Sequence, residues 1–179
     1  MLECVQIKDK TFNLSISEKE INAAIDKIAD QMRNDLQDKN PIFLAVLDGS
    51  FIFAAELMKR VNIPSQISFI KVKSYDGLQT THKYNEVLGL SEEITNRTVV
   101  VLEDIIDSGF TMRNIIDVLC KKDPKEIKIA TLLFKPEALQ CDISIDYVAL
   151  NIPNDFIVGY GLDYDGYGRN LRNIYSINS

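Results

Sequence analysis

Ile42-Phe43-Leu44-Ala45-Val46-Leu47 is apolar at every position and is closed by a turn, Asp48-Gly49-Ser50. A strand with one wet face alternates, so a run without a polar position belongs to a strand covered on both faces. Thr98 to Leu102, with three consecutive valines, repeats the pattern, and Ile67 to Val72, Ile127 to Phe134 and Tyr147 to Leu150 continue the strand series. Segments of helical period lie between them. Ser17-Glu18-Lys19-Glu20 is a capping box, and Ile21, Ile25, Ile28, Met32 and Leu36 follow at helical spacing. This predicts an amphipathic helix over 18–39, ended by Pro41. Phe51 to Arg60 reads as a second helix, and Thr111 to Cys120 gathers Met112, Ile115, Ile116 and Leu119 on the face of a third. Strands covered on both sides and alternating with helices predict an α/β fold with a mostly parallel central sheet flanked by helices.

At 179 residues the chain suits a single domain, 1–179, without internal repeats. Its two ends, the N-terminal strand and about 150–179, are expected to form a small hood subdomain over the sheet. The polar stretch from Tyr75 to about Gly89 has neither period, and a connection of that length reads as a functional lid, with Ser74 and Tyr75 at its start. No apolar run approaches the roughly 18 residues of a membrane span. MLECVQIKDK lacks the basic start and apolar stretch of a signal peptide. Cys4, Cys120 and Cys141 are odd in number and widely spaced, which fits reduced thiols and a cytoplasmic setting. A formal net charge of −6 argues against nucleic-acid and anionic-membrane partners. It leaves room for a small anionic substrate held by a metal ion and a few local donors. The single histidine, His82, reads as an exposed loop residue, so zinc chemistry and a histidine-based nucleophilic triad have little to stand on.

The chemistry concentrates in Val99-Val100-Val101-Leu102-Glu103-Asp104-Ile105-Ile106-Asp107-Ser108-Gly109-Phe110-Thr111. Ligands of parallel sheets collect beyond the carboxyl ends of the strands, and here a buried strand delivers two adjacent carboxylates. The polar loop that follows opens a helix, whose first amides and hydroxyls make a phosphate site. Gly109 lets the backbone approach the anion closely. Adjacent carboxylates accept hydrogen bonds from vicinal hydroxyls, so acids plus a phosphate loop point to a sugar phosphate. The same residues also fit a strand-to-helix turn with solvated acids, although three acids within five residues would repel one another without a cation such as Mg²⁺.

Glu103-Asp104-Ile105-Ile106-Asp107-Ser108-Gly109-Phe110-Thr111 after a valine-rich strand resembles the signature of the type I phosphoribosyltransferases. Leu132-Leu133-Phe134-Lys135-Pro136, the segment Ile152 to Tyr164 and Arg169-Asn170-Leu171 are similar to motifs of the hypoxanthine-guanine branch, in the expected order after Leu47-Asp48-Gly49 and Lys73-Ser74-Tyr75. The resemblance spans about residues 40–175. It implies transfer of a phosphoribosyl group from phosphoribosyl pyrophosphate to a 6-oxopurine base, hypoxanthine and guanine, with Mg²⁺ as cofactor and a homodimer or homotetramer as the assembly. Glu103 and Asp104 would hold the ribose hydroxyls, partly through Mg²⁺. Asp107, Ser108, Gly109, Phe110 and Thr111 would cradle the 5′-phosphate, Phe110 through backbone alone, with Asp107 also the catalytic base at purine N7. Lys135 would donate to the purine C6 oxygen, Phe156 would stack on the ring, and Ile157 would meet it through backbone atoms. Asp163 would line the purine site and bind a second Mg²⁺ on the pyrophosphate side, and Arg169 would grip the pyrophosphate.

The turn Asp48-Gly49 would present backbone amides to the pyrophosphate, across a peptide that is sometimes cis in the family. Asp48 departs from the lysine that the family often carries there, which leaves the backbone contact and removes a side-chain one. Taken singly, Lys135 also reads as a strand-end lysine in solvent, Phe156 as a core aromatic, and Asp163 and Arg169 as surface charges. Gly159-Tyr160-Gly161-Leu162-Asp163-Tyr164 looks superficially like a dinucleotide loop but lacks the third glycine and the crossover. Two other functions stay open at this point: a phosphoribosyltransferase for another base such as xanthine, and a nucleotide-binding RNA regulator without useful catalysis.

Overall fold

The computed structural model describes residues 3–74 and 85–177. A hairpin opens the chain, β1 (Cys4–Ile7) and β2 (Lys10–Ile16), followed by α1 (Glu18–Leu36), β3 (Ile42–Leu47), α2 (Phe51–Val61), β4 (Gln66–Ser74) and β5 (Asn85–Leu88). Then come β6 (Thr98–Ile106), α3 (Phe110–Cys120), β7 (Glu126–Phe134), β8 (Tyr147–Asn151), β9 (Phe156–Val158) and β10 (Ile174–Ile177). The main sheet runs β5-β4-β3-β6-β7-β8; its neighbours pair in parallel, save β5, which is antiparallel to β4 at one edge. The second sheet, β1-β2-β10-β9, is antiparallel and draws its strands from both ends of the chain.

The apolar runs are apolar because each strand feeds two cores. Phe43 and Ala45 of β3, with Val100 and Leu102 of β6, join Ile21, Ile25, Met32, Phe53 and Leu57 from α1 and α2. Ile42, Leu44 and Val46, with Val99 and Val101, join Met112, Ile115 and Leu119 from α3 on the opposite face. Helices therefore cover both faces, the α/β arrangement that the sequence predicts. Phe53 has no exposed surface. Phe53→Ala is expected to cost about 3–5 kcal/mol, the usual loss for a buried aromatic, read as a lower urea midpoint with unchanged slope.

Three boundaries differ from expectation. The first helix stops at Leu36, and residues 37–39 form turns, because Asn40 is left-handed (φ 42) ahead of Pro41. A short antiparallel strand, β5, occupies the end of the 75–89 stretch. β6 runs on to Ile106, so Glu103 and Asp104 lie in a strand whose register with β7 continues through Glu103, Ile105 and Ile106. Tyr75 and His82 lie outside the described residues, and Ser74 is the last residue of β4. The three cysteines are free thiols. Among the described residues, no helix is long and apolar enough to cross a membrane.

Candidate active site

The carboxyl ends of β3, β6 and β7 converge on one edge of the sheet. β6 carries Glu103 into it at 7% exposure, and Asp104 follows with its carboxylate accepting from the Ile105 amide at 3.0 Å. Burial, then the neighbouring Asp104 charge, pushes the Glu103 carboxyl well above the ordinary range. Burial pushes Asp104 up as well, with the Glu103 hydrogen bond, local amides and the Arg169 charge acting against it. An acid held above its unfolded value keeps its proton longer in the folded state. It thus removes stability as pH rises from the ordinary carboxylate range through its raised value. Glu103→Gln is therefore expected to raise the melting temperature of the ligand-free protein by a few degrees at neutral pH. The gain should fade towards pH 4, and thermal melts across that range check it.

After β6 the chain turns through Asp107, Ser108 and Gly109 into α3. The first intrahelical bond is Arg113 N–H to Gly109 C=O at 2.9 Å. The amides of Phe110, Thr111 and Met112 therefore have no carbonyl partner within the helix, and the N-cap, Gly109, has no side chain to cap them. A cavity of about 240 Å³ lies here, lined by Glu103, Ile105, Ile106, Asp107, Ser108, Gly109, Thr111 and Met112. Lys135 follows β7, its amide bonded to Ile106 C=O at 3.0 Å. Its side chain is nearly enclosed, and Nζ stands 3.2 Å from Asp107 Oδ2, while the Asp107 side chain is half exposed. Lys135 is thus not a solvated strand-end lysine: two segments bring a donor and an acceptor side by side.

The turn after β3 closes the site from the other side. The Leu47–Asp48 peptide is cis. Gly49 lies so close to Asp104 that a Cβ would overlap its carboxylate, and Gly161, at φ +106, lies equally close to Gly49 C=O. Arg169 donates from Nη1 to Gly161 C=O at 2.7 Å and pairs through Nη2 with Asp163 Oδ1 at 2.7 Å. Asp163 also accepts from the Gly166 amide at 2.6 Å. Asp104, Gly49, Gly161, Arg169 and Asp163 thus share one packed unit. Gly161→Ala is expected to cost about 1–3 kcal/mol from the backbone conformation alone and to push the β3 turn outward. Denaturant unfolding reads the first effect, and weaker calorimetric binding of pyrophosphate reads the second.

Phe156 is not a core ring. It is 48% exposed, whereas Ile157 and Val158 beside it are buried. Its neighbours are aromatic: Phe12 at 6.2 Å and Tyr164 at 5.9 Å between centroids, the latter edge-on, with Lys10 Nζ 5.9 Å from its centroid. Ile157 places its side chain in the α1–α2 core, leaving its backbone for any contact. Phe110 is 57% exposed at the start of α3. Two residues at the site were not candidates from sequence: Gly161, whose role depends on touching Gly49, and Lys71, which binds Asp48. Neither carries a local signal, because each contact is made by strand register or by chain returning from far away.

The phosphoribosyl transferase domain family matches residues 16–165 of the chain. A hypoxanthine-guanine phosphoribosyltransferase of Streptococcus pyogenes serotype M3 is 44% identical over 158 residues, covering 87% of each chain. A hypoxanthine phosphoribosyltransferase of Buchnera aphidicola is 40% identical over 157 residues, 86% of this chain and 89% of the other. The crystal structure of a hypoxanthine-guanine phosphoribosyltransferase from Bacillus anthracis superposes with a TM-score of 0.87 at 37% identity, over 97% of this chain and all of that one. With the motif residues gathered at the ends of β3, β6 and β7, the chain belongs to the phosphoribosyltransferase family, and its relatives set it among the hypoxanthine-guanine members.

Proposed function

We propose that this enzyme transfers the 5-phosphoribosyl group of phosphoribosyl pyrophosphate to N9 of hypoxanthine, and of guanine, releasing pyrophosphate and forming IMP or GMP. The observation that carries the reading is the Lys135–Asp107 pair. A purine with a C6 oxygen and a hydrogen on N7 presents an acceptor beside a donor. An enclosed ammonium next to a carboxylate is the complement of that edge. N9 bonds to C1′ as the C1′–O bond to pyrophosphate breaks, and the N7 proton passes to Asp107. The free amides of α3 take the 5′-phosphate, Phe156 stacks on the base, and Arg169 with the Gly49 turn receives the departing pyrophosphate.

Mg²⁺ is part of the proposal. Among the described residues no three of His, Cys, Asp and Glu converge on one point. Mg²⁺ does not need such a cage: it is commonly held by one or two carboxylates together with substrate oxygens. Buried Glu103 beside Asp104 is an oxygen pair of that kind, whose mutual repulsion a divalent ion would relieve. Glu103 and Asp104 would hold one ion against the ribose hydroxyls, and Asp163 a second. When bound, the metal neutralises charge developing on the leaving pyrophosphate. A homodimer or homotetramer is the assembly proposed, readable by sedimentation.

The test is nucleotide formation from phosphoribosyl pyrophosphate and Mg²⁺ with hypoxanthine, guanine, xanthine and adenine in separate assays. Turnover of hypoxanthine and guanine without adenine is expected. Preference for xanthine would reassign the base. No turnover by folded protein that still binds the sugar pyrophosphate would overturn the enzymatic role.

A further inference from the structure

The turn after β3 carries a carboxylate where an oxyanion has to arrive, and the structure gives that carboxylate a partner. Lys71 Nζ lies 3.0 Å from Asp48 Oδ1 and 2.8 Å from Oδ2. In the β3–β4 register Lys71 stands opposite Leu47, so its ammonium reaches across from β4 to the turn. Lys71, and more weakly Arg169, hold Asp48 below the ordinary carboxylate range, so it stays ionised. Both side chains are about half exposed, 46% and 53%. Ion pairs that wet are worth ~0–1 kcal/mol, so exchanging one anion for a more highly charged one costs little.

Among the described residues, the other cations of the site are committed elsewhere. Arg169 holds Asp163 and Gly161 C=O, and Lys135 stands with Asp107 on the base side. Asp163 and Asp107 are their partners, and the Arg169 charge also acts on Asp48 and Asp104. Lys71 differs from Arg169 and Lys135 in being about half exposed itself, 46% against 30% and 9%, and its carboxylate partner stands on the turn that leads into Gly49. We propose that Lys71 is a pyrophosphate-binding residue of this enzyme and that Asp48 is its resting partner, displaced when the diphosphate end of the sugar substrate arrives. The assignment rests on the reading that the β3 turn receives pyrophosphate.

A lysine that only cancels the Asp48 charge would sit in the same place, so the test is made with that charge removed. Pyrophosphate and phosphoribosyl pyrophosphate, each with Mg²⁺, are titrated calorimetrically into wild type, Lys71→Met, Lys71→Arg, Asp48→Asn and the Lys71→Met/Asp48→Asn double variant. Lys71→Met is expected to weaken pyrophosphate binding about tenfold or more, the scale of one lost hydrogen bond to a charged group. Lys71→Arg should keep most of the affinity, and Asp48→Asn should increase it by freeing the ammonium. The double variant should bind about fivefold or more weakly than Asp48→Asn alone, with KM for hypoxanthine little changed. If the double variant matches Asp48→Asn, or if Lys71→Met binds like wild type, Lys71 does not touch the pyrophosphate. Wild type that transfers the sugar normally while these variants show no loss sinks this assignment alone. Wild type that binds neither pyrophosphate nor the sugar pyrophosphate sinks the underlying reading, and this inference with it.

Discussion

Asp107→Asn is expected to lower kcat for hypoxanthine by about 100- to 10,000-fold, the contribution typical of a positioned base. An amide is close in shape to a carboxylate and still accepts a hydrogen bond from the Lys135 ammonium, 3.2 Å away in the wild type. It does not take up a proton from N7, so N9 would have to attack with N7 still protonated. The Asp107 side chain is half exposed, so the substitution leaves the packed core untouched and the melting curve should shift little. The reverse reaction supplies the control. On the proposed mechanism Asp107 returns its proton to N7 of the nucleotide there, so pyrophosphorolysis should slow by a similar factor. Calorimetric affinity for phosphoribosyl pyrophosphate should stay within a few fold, because the 5′-phosphate is held by the α3 amides and the exchanged carboxylate is not one of its donors. A variant with near-normal kcat in both directions would remove Asp107 from proton transfer.

What sequence makes legible here follows from where each signal is stored. Phe43, Ala45, Val100 and Leu102 turn to one core, Ile42, Leu44, Val99 and Val101 to the other, so the parallel strands announce themselves as unbroken apolar runs. The hood strands are short, and their pairing is decided by partners far along the chain: Tyr175 lies opposite Val158 on one side and Leu14 on the other. Three or four residues hold too little periodicity to reveal that, although β2 does alternate through Phe12, Leu14 and Ile16. The apolar run of β6 ends at Leu102, where the charged pair Glu103 and Asp104 begins. Their backbone nevertheless continues β6, and Glu103 is buried there. The phosphate loop is legible because Asp107 to Thr111 is contiguous. The contact of Gly161 with Gly49 and the grip of Lys71 on Asp48 are not, since both are products of register and chain return.

The base preference should collapse in Lys135→Gln. An ammonium has three hydrogens to donate and no lone pair, so it satisfies the C6 oxygen of hypoxanthine or guanine and confronts the adenine amino group with hydrogens on both sides. Because Lys135 is only 7% exposed, water has little access to repair that mismatch. A site built around such a group rejects the wrong partner by ~10⁴ or more. Glutamine turns either its NH₂ or its oxygen towards the base. Hypoxanthine should then lose about 10²-fold or more in kcat/KM, from the loss of a charged hydrogen bond and of reach, while adenine gains relative to it. Lys135→Met separates the two effects: it offers neither donor nor acceptor, so hypoxanthine should fall while adenine fails to rise. The decisive quantity is the ratio of kcat/KM for hypoxanthine to that for adenine across the three proteins. A ratio unchanged in Lys135→Gln would mean that the C6 position is read by another group. A ratio that falls equally in Lys135→Met and Lys135→Gln would mean that the lysine acts by positioning Asp107, its partner in the structure.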